Sequence, residues 1–275
     1  MKLLKVFAIF LVAVFAISCQ ETKSIGIQMY SLRQDIGGNS ENVDSIIIKI
    51  GEMGYKYVET ANYFNGLIYN MKPEVFKEKL KLAGLYATSC HVRRDLSDNM
   101  DEVWAWWDEC IATHKAAGIQ YIIMPSMPTP ETLEGLQAYC DYFNKIGEKC
   151  KAEGMAFGYH NHAYEFEKVY DGNISMYDYL VQHTDPAKVF FELDVYWCQK
   201  GGYAAPVLFD KYPGRFLFLH IKDEKELGES GTMDFKAILD KLQLAGTKYL
   251  IVEVEQYNFA PLESVKISLD FLKKF

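Results

Sequence analysis

Short β-like runs and helical patterns alternate eight times between Lys23 and Phe275, and no other feature of this 275-residue sequence constrains its fold as strongly. The β-like runs fall at 25–30, 55–59, 86–91, 121–125, 155–162, 189–194, 215–220 and 249–254. Each is followed by a segment of helical periodicity, at 41–53, 73–83, 101–117, 131–153, 175–182, 205–211, 235–244 and 261–273. The punctuation agrees. Pro73 suits a first helical turn, and Gly54 and Gly84 each sit between a helix and the next strand, where a left-handed cap is expected.

Strands alternating with helices imply a parallel sheet in an α/β fold. Eight such units in about 250 residues imply one (β/α)8 TIM barrel, here a single catalytic domain over 20–275. The alternative is an open, doubly wound sheet. A dinucleotide-binding version would carry a glycine-rich turn after its first strand, and Gly37-Gly38 does not match that fingerprint. No linker, repeat or low-complexity stretch divides the chain.

Residues 1–19 stand apart. Lys2 and Lys5 flank an apolar run, Val6 to Ile17, that is short for a membrane span, and small and apolar residues lead into Cys19. The pattern resembles a bacterial lipoprotein signal peptide, cleaved before Cys19 with lipid on that thiol. It predicts a periplasm-facing or outer-membrane lipoprotein that meets the membrane through its lipid only. Cys90, Cys110, Cys140, Cys150 and Cys198 form no Cys-x-x-Cys pair, which argues against a zinc–thiolate site. A formal net charge of −8 argues against a nucleic-acid partner.

In a (β/α)8 barrel, the C-terminal strand ends form the active-site face. Those ends carry Gln28 and Tyr30, Glu59, His91, His160 and His162, Glu192 and Asp194, His220 and Lys222, then Glu253 and Glu255. Alternate residues of a strand share a face, so His160 and His162 are placed together. Two imidazoles with Glu165 nearby can bind a divalent metal, move protons, or do both. Asp194, His220 and Glu253 come from three successive strands and offer ligands suited to Mn, Mg, Co or Zn. The competing reading of that trio is an ion-pair cluster around Lys222. Glu192, one layer deeper, is expected to neutralise the same lysine. Tyr63, Phe64, Tyr164, Trp197 and Tyr257 surround the mouth with flat faces suited to sugar rings.

Four motifs in order extend this reading: Tyr159-His160-Asn161-His162-x-x-Glu165-Phe166, Glu192-Leu193-Asp194-x-Tyr196-Trp197, His220-Ile221-Lys222-Asp223 and Ile251-Val252-Glu253. Together they resemble the sugar phosphate isomerase/epimerase family of xylose-isomerase-like barrels. That group also includes inosose isomerases, ketose 3-epimerases, dehydroshikimate dehydratases and endonuclease IV. The resemblance covers 24–275. It implies a divalent metal held by strands five to eight, with Asp194, His220 and Glu253 matching three ligands. The fourth family ligand is usually a glutamate ending strand five. His160 stands there, with Glu165 as the competing candidate, and this departure counts against a two-glutamate epimerisation.

The expected chemistry is metal-assisted proton abstraction next to the carbonyl of a sugar or keto-sugar. Glu253, His162 or His160 would take the α-proton, and His91 or Lys222 would protonate the departing or relocated oxygen. Gln28, Glu59, Trp197, Glu255 and Tyr257 are the expected substrate-binding residues. Phosphorylated sugars are chiefly cytoplasmic, so Cys19 favours a 3-keto-glycoside lyase or hydratase, or a keto-sugar isomerase. Two rivals remain open. A non-catalytic sugar-binding lipoprotein would need no metal quartet, and a phosphodiesterase resembling endonuclease IV would need a multi-metal cluster and a basic face.

Overall fold

In a computed structural model that describes residues 24–275, eight short strands form the wall of a closed barrel. They are β1 (Ile25–Gln28), β2 (Tyr57–Thr60), β3 (Tyr86–His91), β4 (Tyr121–Met124), β5 (Ala156–His160), β6 (Val189–Asp194), β7 (Phe216–Lys222) and β8 (Tyr249–Glu253). Each strand pairs in parallel with its sequence neighbours, and β1 closes the ring on β8. The (β/α)8 barrel expected from the alternation is formed. The segment ending at Cys19 lies outside the described residues.

Helices outside the ring bury one stripe against it. In the helix Leu133–Ala152, Leu136, Tyr139, Phe143, Ile146 and Cys150 recur every three to four residues and are all buried. Thr132 caps that helix by accepting from the Gly135 amide, and Gly54 ends an earlier one at φ 97°, a left-handed angle that glycine adopts without strain. The cysteines at 90, 110, 140, 150 and 198 are all buried and unpaired.

Most boundaries move by one or two residues, and two elements change more. The first strand stops at Gln28 because the Gln28 side chain accepts from the Tyr30 amide and turns Met29–Leu32 into a 3-10 helix. The last helix but one splits into Phe235–Leu239 and Leu242–Ala245.

The interior of the ring is layered. Its lower end is filled by Tyr57, Tyr121, Phe190, Phe218 and Tyr249, in contact at ring-centroid distances of 4.5–5.7 Å. Room for these rings comes from missing side chains. A Cβ on Gly26 would lie 2.2 Å from the Tyr57 ring, and one on Gly158 2.4 Å from the Phe190 ring. The plug shuts the lower end against water, so the polar residues above it open only toward the C-terminal ends of the strands.

Candidate active site

Above the aromatic plug the bore turns ionic. Glu59, Glu192, Asp194 and Glu253 share it with His91, His160 and His220, and all but His91 are buried to within a few per cent. Burying charge costs several kcal/mol per ion unless partners compensate. Here they do. Glu59 Oε1 accepts from Gln28 Nε2 at 2.8 Å and lies 2.7 Å from His220 Nε2 and 3.0 Å from His91 Nε2. Glu192 Oε2 lies 2.7 Å from the same His91 nitrogen.

These contacts set the protonation of the bore. Burial works against charge on every group, yet Glu59 and Glu192 push His91 up to about 9. Burial would also raise Glu59, but His91 and His220 hold it below the ordinary carboxylate range. His220 is raised well above an ordinary histidine despite its burial, by Glu192 and Glu253. Burial, with the charges on His220 and His91, keeps His160 well below its ordinary value and therefore neutral.

Immediately above lies a second group with a different character. His160, Asp194, His220 and Glu253 each offer one donor atom, all within 4.8 Å of one another. His160 Nε2, Asp194 Oδ2, His220 Nδ1 and Glu253 Oε2 are all buried without a hydrogen-bond partner. Orphaned buried polar atoms are rare, and here four converge. Two imidazole nitrogens and two carboxylate oxygens form a set that fits a divalent transition metal or Mg.

The local sequence aims each donor. His160 Nδ1 faces the Pro125 carbonyl at 3.2 Å, which leaves Nε2 as the free lone pair. Asp194 caps the helix Val195–Lys200 by accepting the Trp197 amide on Oδ1 at 2.8 Å, and this frees Oδ2. Asn161 ties the two strands by accepting from the Asp194 amide at 3.1 Å and donating to its carbonyl at 3.3 Å.

Glu165 has another task. Its carboxylate accepts from the Tyr159 hydroxyl at 2.6 Å and from the His162 amide at 2.8 Å, and burial pushes it up to about 7. It folds back beneath the motif and stays out of the four-atom cluster, to which His160, the other candidate the resemblance offered, contributes Nε2.

A cavity of about 520 Å³ opens over the cluster. Of the residues expected there, Tyr30, Tyr63, His91, His160, His162, Glu253 and Glu255 line it. Burial, with the charge of His160, lowers His162 to about 4, so its imidazole is neutral. Burial and Glu253 raise Glu255 to about 7, against the pull of Lys222.

Several expectations are corrected. Gln28 and Glu59 are fully buried and outside the cavity lining; Gln28 donates to Glu59, and Glu59 contacts His220. Lys222, expected to donate a proton, is 1% exposed, 3.7 Å from Glu255 Oε2 and over the rings of Tyr196 and Trp197. Glu192 pairs with His91 rather than with Lys222. Trp197 and Tyr257 are half-buried but outside the cavity lining; Tyr257 accepts from Arg33 Nη1 at 2.9 Å and donates to the Ser31 carbonyl.

Arg93, Trp106 and Ser126 line the cavity and were missed in the sequence. Arg93 stands two residues beyond His91, a spacing that could have flagged it. Trp106 sits inside the helix Met100–Ala116, where nothing distinguishes it from a packing residue.

Comparison with known proteins decides the family. The model described as xylose isomerase-like TIM barrel matches residues 48–275, most of the chain. The chain belongs to that family. Within the fold, the chain is similar to a sugar phosphate isomerase/epimerase from Parabacteroides distasonis ATCC 8503, at 34% identity and TM-score 0.84, over 92% of this chain and 98% of that one. A second protein of that description from the same organism matches at 29% identity and TM-score 0.85, over 93% and 95%. D-allulose 3-epimerase from Methylomonas sp. shares the fold at TM-score 0.72 and 14% identity, over 92% and 98%. No curated protein sequence matches the chain.

Proposed function

We propose that this chain is a metal-dependent enzyme that removes a proton next to the carbonyl of an uncharged sugar or keto-sugar. The observation that carries this reading is the convergence of four unpartnered donor atoms, on His160, Asp194, His220 and Glu253, beneath an open cavity. A divalent cation held by those four residues would supply Lewis-acid polarisation of the substrate carbonyl.

The protein's own groups supply the rest. Glu253 lines the cavity in its unprotonated form: burial opposes its charge, but His220 and Lys222 keep it ionised well below the ordinary range, and its position over the cluster makes it the proton acceptor despite the basicity this costs. His162, a neutral imidazole on the same wall, is the second acceptor. His91 reaches the cavity with its Nε2 committed to Glu192 and Glu59, which leaves Nδ1 for exchange with substrate oxygen. Proton transfer by positioned groups of this kind contributes about 10²–10⁴-fold.

An uncharged substrate fits the electrostatics. Among the described residues, Arg93 is the only arginine or lysine lining the cavity, and Asp95 pairs with it at 2.7 Å, while Glu253 and Glu255 face the same space. A phosphate would meet two carboxylates and a guanidinium already neutralised. We favour elimination or hydration of a 3-keto-glycoside, or keto-sugar isomerisation, because replacing a carboxylate by His160 removes one arm of a two-carboxylate epimerase. The Cys19 pattern supports a periplasm-facing setting for this chemistry.

The test is solvent deuterium exchange into a panel of ketoses and 3-keto-glycosides, with the chain stripped of metal and then reconstituted. Exchange should need the metal and vanish in Glu253→Gln. Stoichiometric metal with no exchange anywhere in the panel would overturn the reaction; no bound metal would overturn the site.

A further inference from the structure

The cavity is larger than its ionic floor, and its far side is built from different residues. The four donors come from β5–β8, and Glu255 lies just past β8. The opposite wall, beyond β2–β4, carries Tyr63, Arg93, Trp106 and Ser126. Tyr63 and Trp106 are half-buried and meet edge to face at 5.5 Å and 80°. Trp106 also packs edge-on against the fully buried Trp107 at 5.0 Å, so its indole is braced while part of it stays exposed.

Arg93 is braced too. Its Nε and Nη2 donate to Asp95 at 2.9 and 2.7 Å, and Nη1 donates to Ser126 Oγ at 3.0 Å. A guanidinium has five N–H groups, so one on each terminal nitrogen is left without a protein partner. Asp95 cancels the charge. What remains is a fixed pair of donors, suited to hydroxyl groups rather than to an anion.

We propose that Tyr63, Trp106, Arg93 and Ser126 form a second-ring subsite, which takes an uncharged, hydroxyl-bearing ring joined to the sugar held over the four-donor cluster. Aromatic faces stack against the apolar face of such a ring, and the Arg93–Ser126 pair reads its hydroxyls. The assignment of a reacting sugar to the cluster rests on the proposed function; binding of the second ring does not. A second sugar and a phenol present the same chemistry here, and the experiment separates them.

The measurement is calorimetric titration of the Mn-loaded full chain with methyl β-D-glucopyranoside, cellobiose, arbutin and phenyl β-D-glucopyranoside, none of which has a keto group to react. Cellobiose or arbutin should bind at least about tenfold more tightly than the methyl glucoside, and the tighter of the two identifies the ring. Trp106→Ala should abolish that gain and leave methyl glucoside binding unchanged. Ser126→Ala, a milder change at a half-buried position, should weaken arbutin about threefold and leave the phenyl glucoside, which lacks the ring hydroxyl, unaffected. Equal binding of one- and two-ring probes, binding of neither cellobiose nor arbutin, or the same loss for every probe in both variants would overturn the subsite. Ring discrimination without deuterium exchange into keto-sugars would sink the reaction and keep the subsite.

Discussion

His220 Nε2 lies 2.7 Å from Glu59 Oε1, and this contact decides which nitrogen of the ring faces the four-donor cluster. Once the Nδ1 proton is given up, as metal ligation requires, a histidine that donates from Nε2 presents its lone pair on Nδ1, and Nδ1 is the buried, unpartnered atom 3.4 Å from Glu253 Oε2. Glu59 is itself fixed by Gln28. Glu59→Gln keeps the shape but removes the charge that strengthens the imidazole. It should weaken metal binding about 10–100-fold, read by competition with a chelating dye. Unchanged affinity would mean that Glu59 only fills space.

Asp194 divides its two oxygens between structure and site, and the two functions should separate by mutation. Oδ1 caps the helix Val195–Lys200, and Oδ2 belongs to the cluster. Asn is as good a cap as Asp. Asp194→Asn should therefore lose metal while its metal-free thermal stability stays within about 1 kcal/mol, whereas Asp194→Ala should lose the cap as well, at about 0.5–2 kcal/mol. Full metal occupancy in the Asn variant would remove Asp194 from the ligand set.

The barrel and the identity of the cluster were legible in the sequence because one rule connects them. Eight alternations fix the fold, and the fold turns every strand end toward one mouth. What could not be read was depth. Gln28 and Glu59 share the inward face with the cavity residues but sit lower, where β2 and β3 shift register between Val58 and Glu59. The choice between His160 and Glu165 stays open in the sequence because spacing alone does not reveal the short helix Tyr164–Glu167, which folds the Glu165 carboxylate back under Tyr159. Trp106 was missed because a tryptophan inside an amphipathic helix looks like core wherever it points.

Glu165 makes stability fall with rising pH. Its carboxyl is raised from 4.5 to about 7 by burial, so the folded state holds a proton that the unfolded state has released. That contribution is fully present below pH 4.5 and is lost as pH rises through about 7. Glu165→Gln does not titrate, and its amide cannot accept from both the Tyr159 hydroxyl and the His162 amide, so it starts at a cost of about 1–3 kcal/mol. In thermal melts the advantage of the unaltered chain over the variant should shrink between about pH 5 and pH 8. A constant gap would show that Glu165 is already ionised throughout that range. Metal stoichiometry should be unchanged in the variant, since its carboxylate lies outside the cluster.

The aromatic plug predicts a coupled pair of substitutions. A methyl group on Gly158 would meet three Phe190 ring atoms at 2.4–2.7 Å, and Phe190 is wedged between Tyr121 and Phe218 with little room to give. Gly158→Ala should cost about 1–3 kcal/mol by overpacking. Trimming the ring in Phe190→Leu leaves a gap and also costs stability alone, but in the double variant the new methyl occupies part of that gap. The two losses should therefore add to more than the measured double loss, by about 0.5–3 kcal/mol in a denaturation cycle. Strict additivity would mean that β5 yields instead of the ring. Because His160 stands two residues beyond Gly158 on the same face of β5, that yielding would also appear as weakened metal binding in the single variant.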